Sequence, residues 1–393
     1  MSIVKNTLAT IIAISMVSAI GGLVFNTMPL LLNTVSQTLN FTPEQLGALS
    51  LTAGIGYLVG TLTGPLWVDR VNWRVASLVI ITCAAGSFLL ASKLSGIGLF
   101  VGFAAFGFFC SLAAALGIRV LGDMPDPERA YGTRLSVELV SIAFFLILLP
   151  IFFIAKGGFS GAMIGLALMT VFLGLGTLFM PARSVLPSTL KVKGFPSWGS
   201  ASRSWIMLFV FTIYLLANVG LFFFLAVIAQ NFNPSAEQFG VMFGVLKWLG
   251  GAAGAVGAII GARAGIKRPH FVASALVLIG VLGLFLAHDI ATFMIASWVW
   301  EFGFTLGCLY LTTAIVRFDP ANKLVVLVPM AFGIAMIFGG KIAGQLLANG
   351  GANDSANNGA AALYIFVVLC SVLPPVFILF TAQGRKPAQD MTA

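Results

Sequence analysis

Apolar runs of about twenty residues recur along the whole chain, separated by short polar turns, and that is the length a helix needs to cross roughly 30 Å of hydrocarbon. The pattern predicts twelve spans, near 7–32, 44–67, 75–94, 96–118, 132–154, 158–181, 204–229, 237–262, 270–287, 290–316, 324–348 and 360–382. Spans 3 and 4 are divided only by Lys93-Leu94-Ser95-Gly96, and span 10 carries Glu301, so twelve is the preferred count and ten the alternative. The run after Lys5 continues to about Leu32, too long for a signal-peptide core, and is read as a retained first span. The fold class expected is therefore an all-α membrane protein.

Composition narrows the function classes. The 393 residues are 59% hydrophobic and only 8% charged, which excludes a soluble domain. The formal charge of +9 does not form one patch, so nucleic acid is not an expected partner. Seventeen lysines and arginines, from Lys5 to Lys386, fall on one side of the predicted spans, against only Lys93 and Lys156 opposite. By the positive-inside rule both termini are expected in the cytoplasm of a cell whose inner membrane holds the chain. The four cysteines all lie inside spans and offer neither a disulfide framework nor a metal motif. His288-Asp289 at the turn between spans 9 and 10 lacks further ligands for a metal. No phosphate-binding loop is present and no cofactor is expected.

The longest polar connection, 182–203, divides the spans six and six, giving an N-terminal bundle (1–181), a central loop (182–203) and a C-terminal bundle (204–393). The halves are related. Residues 64–74 align without a gap to 257–267 at an offset of 193, and the same offset brings Glu44-Gln45 onto Glu237-Gln238 and Asp126-Pro127 onto Asp319-Pro320. Asn40-Phe41 matches Asn231-Phe232 at 191, which implies a two-residue insertion. Three matches at one offset argue for duplication, and parallel six-helix repeats are a recurring transporter plan.

Between spans 2 and 3 stands Gly64-Pro65-Leu66-Trp67-Val68-Asp69-Arg70-Val71-Asn72-Trp73-Arg74. With the twelve-span, two-half layout, it resembles the major facilitator superfamily, whose signature there runs Gly-x-x-x-Asp-Arg-x-Gly-x-Arg/Lys. Asp69, Arg70 and Arg74 fit; Pro65 replaces the first glycine and Asn72 the second, where asparagine can take the left-handed backbone of a tight turn. Met124 to Arg129 looks like the family's loop between spans 4 and 5. The resemblance implies a rocker-switch carrier opening alternately to each side, with Asp69, Arg70 and Arg74 as gating residues that latch the outward-open state. The bland alternative is that Arg70 and Arg74 only enforce topology.

Three ionisable residues lie where lipid should be: Lys247 in span 8, Glu301 in span 10 and Lys341 in span 11. An ionisable group at bilayer depth costs about 2.5–3.5 kcal/mol on insertion scales, so it turns to a cavity or a partner. Lys247 lies ten residues inward from Glu237, roughly 15 Å at 1.5 Å per residue, and Glu301 reaches similar depth. Lys247 belongs to a stripe of Gly240, Gly244, Gly251, Gly254 and Ala258; Glu301 shares a face with Ser297, Thr305, Cys308 and Thr312; Lys341 stacks with Gln345. Span 1 adds Ser18, Gly22, Asn26 and Pro29, and span 7 adds Tyr214 and Asn218. The expected substrate-binding set is Lys247, Lys341, Asn26, Tyr214, Asn218 and Gln345, with Glu301 for proton coupling. Against this stands a purely structural Lys247–Glu301 pair with Lys341 snorkelling outward. Arg134 and Glu138, four apart at the start of span 5, read as a local ion pair.

With Glu301 ionised the three charges sum to +1, so the sequence predicts a secondary carrier for a small organic anion of carboxylate type. Protons are the expected coupling ion and a monomer in the lipid bilayer the expected state. Within the resembled family, oxalate carriers also place basic residues on spans 8 and 11. The first alternative is a proton-driven efflux pump for lipophilic compounds, to which 35 phenylalanines would suit; span 5, Leu135 to Phe144, lacks the glycine-proline signature of such pumps. A non-transporting membrane sensor is the second. An enzyme is not expected, since no convergent acid, base and nucleophile set is available.

Overall fold

A computed structural model describes residues 8–122, 124, 127–182, 198–260, 266–318, 327–349 and 358–381. Among them are twelve α-helices: α1 (Leu8–Leu39), α2 (Pro43–Trp67), α3 (Trp73–Ala91), α4 (Ile97–Gly122), α5 (Pro127–Leu148), α6 (Ala155–Gly174), α7 (Trp198–Ala229), α8 (Ala236–Ile260), α9 (Lys267–Leu286), α10 (Ile290–Phe318), α11 (Val328–Asn349) and α12 (Asn358–Thr381). Eleven apolar helical stretches among the described residues are long enough to cross a membrane, and one of them, Thr133–Phe179, is 47 residues long. That stretch contains α5, a π-helical turn at Leu149–Ile154 and α6. Pro150 lies in the π turn, where its missing N–H is accommodated by wider winding. At Gly158, φ 52° and ψ −134°, the chain reverses. Beyond it Gly161 presses on the Phe153 carbonyl and Gly165 on the Leu149 and Phe153 side chains, so α6 doubles back on the π turn. The 47-residue stretch thus holds two helices, α5 and α6, packed back on each other. Most of the predicted central loop, 183–197, and Asp126, Asp319 and Pro320 lie outside the described residues, while α7 begins at Trp198, inside the segment predicted as loop.

The duplication is visible in backbone geometry. Thr42 caps α2 with a reciprocal pair: its hydroxyl accepts from Gln45 N and its own N–H donates to Gln45 Oε1. Ser235 and Gln238 make the same box at the start of α8. Just upstream, Asn40 and Asn233 are the non-glycine residues with left-handed backbone among those described, at φ 54° and 47°. All three pairs stand 193 apart, so the repeat is gapless here and the expected two-residue insertion is absent. Asparagine is the residue that takes this conformation most cheaply after glycine, which is why the turn repeats it.

Helices α1–α6 pack among themselves, as do α7–α12, and the two sets meet through α2 with α11, α5 with α8, and α1 with α7. Exchanging the halves maps this set of contacts onto itself. α5 and α8 run antiparallel: Gly240 lies against Ile147, Gly244 against Ile147 and Ala143, and Gly251 against Leu139. The glycine stripe predicted to line the interior therefore serves first as the seam between halves. On the matching seam, Gly47 of α2 faces Gly340 and Lys341 of α11. Both contacts sit toward the face away from the start of α1, here called the distal face; the face where α1 begins and α12 ends is the terminal face.

Candidate functional site

Lys247 and Glu301 meet. Lys247 Nζ donates to Glu301 Oε1 at 3.0 Å, with the two residues 4% and 3% exposed. Their helices place them: α8 and α10 pack side by side, and Gly250, one turn past Lys247, leaves the room that Glu301 Oε1 fills. The ammonium lies 4.0 Å from the Phe222 ring centroid on α7 and 5.9 Å from that of Phe25 on α1. Phe25 and Phe222 stack at 5.3 Å across the halves. A cation held over aromatic faces gains from the ring quadrupole, most where water is excluded. The pair is thus placed where the two bundles touch. Glu301 Oε2 is buried with no hydrogen-bond partner among the described residues.

From Glu301 toward the terminal face, Thr305, Cys308 and Thr312 on the same face of α10 are each partly accessible. Gly254 on α8, two turns past Lys247 in that direction, has open space around it. The pair is therefore more fully covered than the polar face of α10 that continues from it toward the terminal face.

A second ion pair lies in the other half, on α5. Arg134 contacts Glu138 at 2.8 Å, and Arg134 Nε donates to Ser18 Oγ on α1 at 2.7 Å. A side chain at Gly22 of α1 would collide with the Glu138 carboxylate. This pair was legible only as a local contact on one helix; instead it faces inward, against the Ser18 and Gly22 stripe.

The other predicted residues divide. Asn218 is buried and fully used: Nδ2 donates to Tyr214 O at 2.9 Å and to Ser371 Oγ at 3.1 Å, and Oδ1 accepts from Trp300 Nε1 at 2.9 Å. It ties α7 to α10 and α12. Tyr214, also buried, donates its hydroxyl to Phe304 O at 3.3 Å. Asn26 is buried beside Phe25 and donates to Gly22 O at 2.8 Å. Lys341 and Gln345 are exposed, on a face of α11 shared with exposed Phe338, and neither bonds another described residue. The Lys341 backbone abuts Gly47, four residues into α2, about 6 Å from its start at 1.5 Å per residue. The structure does not bring Lys341 to Lys247. Trp248 is 54% exposed and packs on Phe144 at the outer surface, whereas Trp300 is core.

In the loop between α2 and α3, Asp69 Oδ1 accepts from Arg119 Nε of α4 at 2.8 Å, and Arg119 lies over the Trp73 ring at 5.7 Å. Arg74 donates to Met180 O through Nε and a terminal nitrogen, at 3.1 and 3.0 Å. Arg70 is exposed. These contacts lie within the N-terminal half. Asn72 is not left-handed: with φ −74° and ψ 114° it caps α3, accepting from Arg74 N and Val75 N. It replaces the family glycine as a helix start.

A profile of the Major Facilitator Superfamily matches residues 11–323. No curated protein matches the sequence. Among solved structures, the nucleoside transporter NupG is 14% identical, with TM-score 0.74 over 94% of this chain and 98% of its own. The xylose transporter XylE from E. coli, in a partially occluded inward-open conformation, is 11% identical with TM-score 0.68 over 96% and 99%. A bacterial homologue of the human lysosomal transporter Spinster, inward-facing and unoccupied, is 13% identical with TM-score 0.67 over 94% and 94%. The chain belongs to the major facilitator superfamily and is a multi-pass membrane transporter of the secondary type.

Proposed function

We propose that the protein carries a small organic anion together with a proton, and that Lys247 and Glu301 form the coupling site. The observation that carries this reading is the buried 3.0 Å ion pair with Phe25 of the opposite bundle beside its ammonium. A structural pair could be replaced by apolar residues at little cost or some gain, because desolvation offsets the attraction. Placing it at the seam between moving bundles gives it a use.

Charge bookkeeping supports a stoichiometry of one proton per anion. Lys247 with Glu301 and Arg134 with Glu138 leave the centre neutral. An anion entering alone would leave one uncompensated negative charge, whereas an anion with one proton keeps the site neutral. The proton goes to Glu301, and the substrate carboxylate takes the place of Glu301 on Lys247. Lys341, nearer the distal face and exposed, suits a role in attracting anions at that entrance. Asp69, Arg70 and Arg74 would act as the gate at the terminal face, taken as cytoplasmic from the charge distribution. Asn218 is left out of the binding set because its polar atoms are engaged.

The test is uptake of labelled mono- and dicarboxylates into proteoliposomes under an imposed pH gradient. Accumulation that follows the gradient in the native protein, and is lost in Glu301→Gln while counterflow exchange persists, is the expected result. Accumulation that survives in Glu301→Gln removes Glu301 from coupling. Phe25, Phe222 and Phe223 around the ammonium favour one second reading, extrusion of an aromatic lipophilic compound, and ethidium efflux in the same vesicles separates the two.

A further inference from the structure

Lys247 stands between two carboxylates, one in each half of the molecule. The antiparallel register of α5 and α8, in which Gly244 faces Ala143 and Gly251 faces Leu139, sets Lys247 about level with the residue one turn beyond Glu138. On α1 the same relation appears: Glu138 lies against Gly22, and Phe25, one turn on, stands beside the Lys247 ammonium. Lys247 is close enough to Glu138 for their charges to interact. We infer that Glu138 is the alternate counter-ion of Lys247, so that transport exchanges an ion pair inside the C-terminal bundle for one that bridges the two bundles.

The inference rests on the coupling role proposed for Glu301 and extends it to a residue of the other half. In the described state Lys247 is held by Glu301, and Glu138 by Arg134 and the α1 wall. When Glu301 takes up a proton it no longer holds the ammonium. Besides the substrate's own carboxylate, the anionic carboxylate within reach among the described residues is Glu138, which lies toward the terminal face. A lysine stem spans one helical turn without moving its backbone. Pairing there draws α8 onto α5 on the terminal side of the present seam, where Gly254 now has open space. The charges balance: Lys247, Arg134 and Glu138 sum to +1 with Glu301 neutral, and the substrate anion supplies the remaining negative charge. Other groups within electrostatic reach of these carboxylates are Tyr57 of α2, Tyr214 of α7 and Cys308 of α10. None of them is a carboxylate.

The measurement needs no substrate. Spin labels at V75C and R268C, exposed in the first turns of α3 and α9 on the terminal face, report the separation of the halves by pulsed dipolar spectroscopy in nanodiscs, in a C83A, C308A background. E301Q, standing for the protonated acid, should move the distance distribution to shorter values. Adding E138Q should return it to that of the parent protein. R134Q with E138Q in the same E301Q background removes the second pair whole, and replaces E138Q alone if that variant does not fold. A shift in E301Q that persists when Glu138 is neutralised overturns the exchange while leaving the coupling role of Glu301 standing. No shift in E301Q overturns both.

Discussion

Buried polar atoms in this protein are expensive in different ways, and the difference is measurable. Asn218 holds Trp300 Nε1 and Ser371 Oγ, so Asn218→Ala should strand two buried groups and cost about 2–6 kcal/mol, at roughly 1–3 kcal/mol for each unpaired group. The check is a lowered detergent Tm with transport per folded molecule preserved; a loss of substrate affinity at unchanged Tm would restore Asn218 to the binding set. Lys247→Ala should destabilise by about 3–5 kcal/mol because it leaves Glu301 buried and unpaired. The double change Lys247→Ala, Glu301→Ala should cost less than the single one, and strictly additive losses in a double-mutant cycle would speak against the pairing. Charge in an apolar run is visible in one dimension, which made Lys247 and Glu301 legible in the sequence. Direction was not legible: Asn218 and Asn26 have equivalent surroundings as strings, and only packing decides that one is consumed by a tryptophan. Arg134 and Glu138 satisfy each other at four-residue spacing, so nothing in their own helix reveals the wall of α1 opposite them.

Helix boundaries followed from apolar length, and the turns that join helices from a few residues with special backbone. Twelve spans were predicted and twelve helices are present among the described residues, although α5 and α6 are parted only by the π turn and the non-helical residue Gly158. Their separation depends on Gly158. At φ 52° and ψ −134° a residue with a side chain is strained, and a Cβ would also meet Thr38 Cγ2 at 2.9 Å. Gly158→Ala should therefore lower stability by about 2–3 kcal/mol or prevent assembly, while Gly157→Ala, which meets nothing within 4 Å, should be neutral or slightly stabilising. Fluorescence-detected gel filtration after graded heating distinguishes them, and equal behaviour would show that the reversal is not set at Gly158. The sequence alignment of the halves succeeded where side chains do local work, at the two capping boxes. It slipped at Asn40, because matching the Asn-Phe pair favoured letters over conformation, whereas the left-handed turn pairs Asn40 with Asn233.

At the scale of the whole molecule, the seams between halves state which side is shut. α5 meets α8 through glycine contacts nearest the distal face, with open space toward the terminal face at Gly254, while α2 stays on α11 from Gly344 beside Pro43, through Gly54 beside Ile337, to Gly333 beside Leu58. Alternating access needs the distal seam to part when the terminal side closes, so its tightness helps set the population of the two states. Gly240 offers a direct test, since a Cβ there would stand 2.7 Å from the Ile147 carbonyl oxygen. Backbone cannot yield as a side chain can. Gly240→Val should therefore wedge the distal seam apart and move the protein toward the opposite state without disturbing either bundle's own core. The readout is labelling of Gly254→Cys, in a background without Cys83 and Cys308, by a hydrophilic maleimide. In the parent the thiol should react readily, because its surroundings are open. With Gly240→Val added, the rate should fall about tenfold, the equivalent of 1.4 kcal/mol in the equilibrium between states, while Tm changes little. An unchanged labelling rate at unchanged Tm would mean that the distal seam is not a moving contact, and the rocking of the halves would have to turn on α1 and α7 instead.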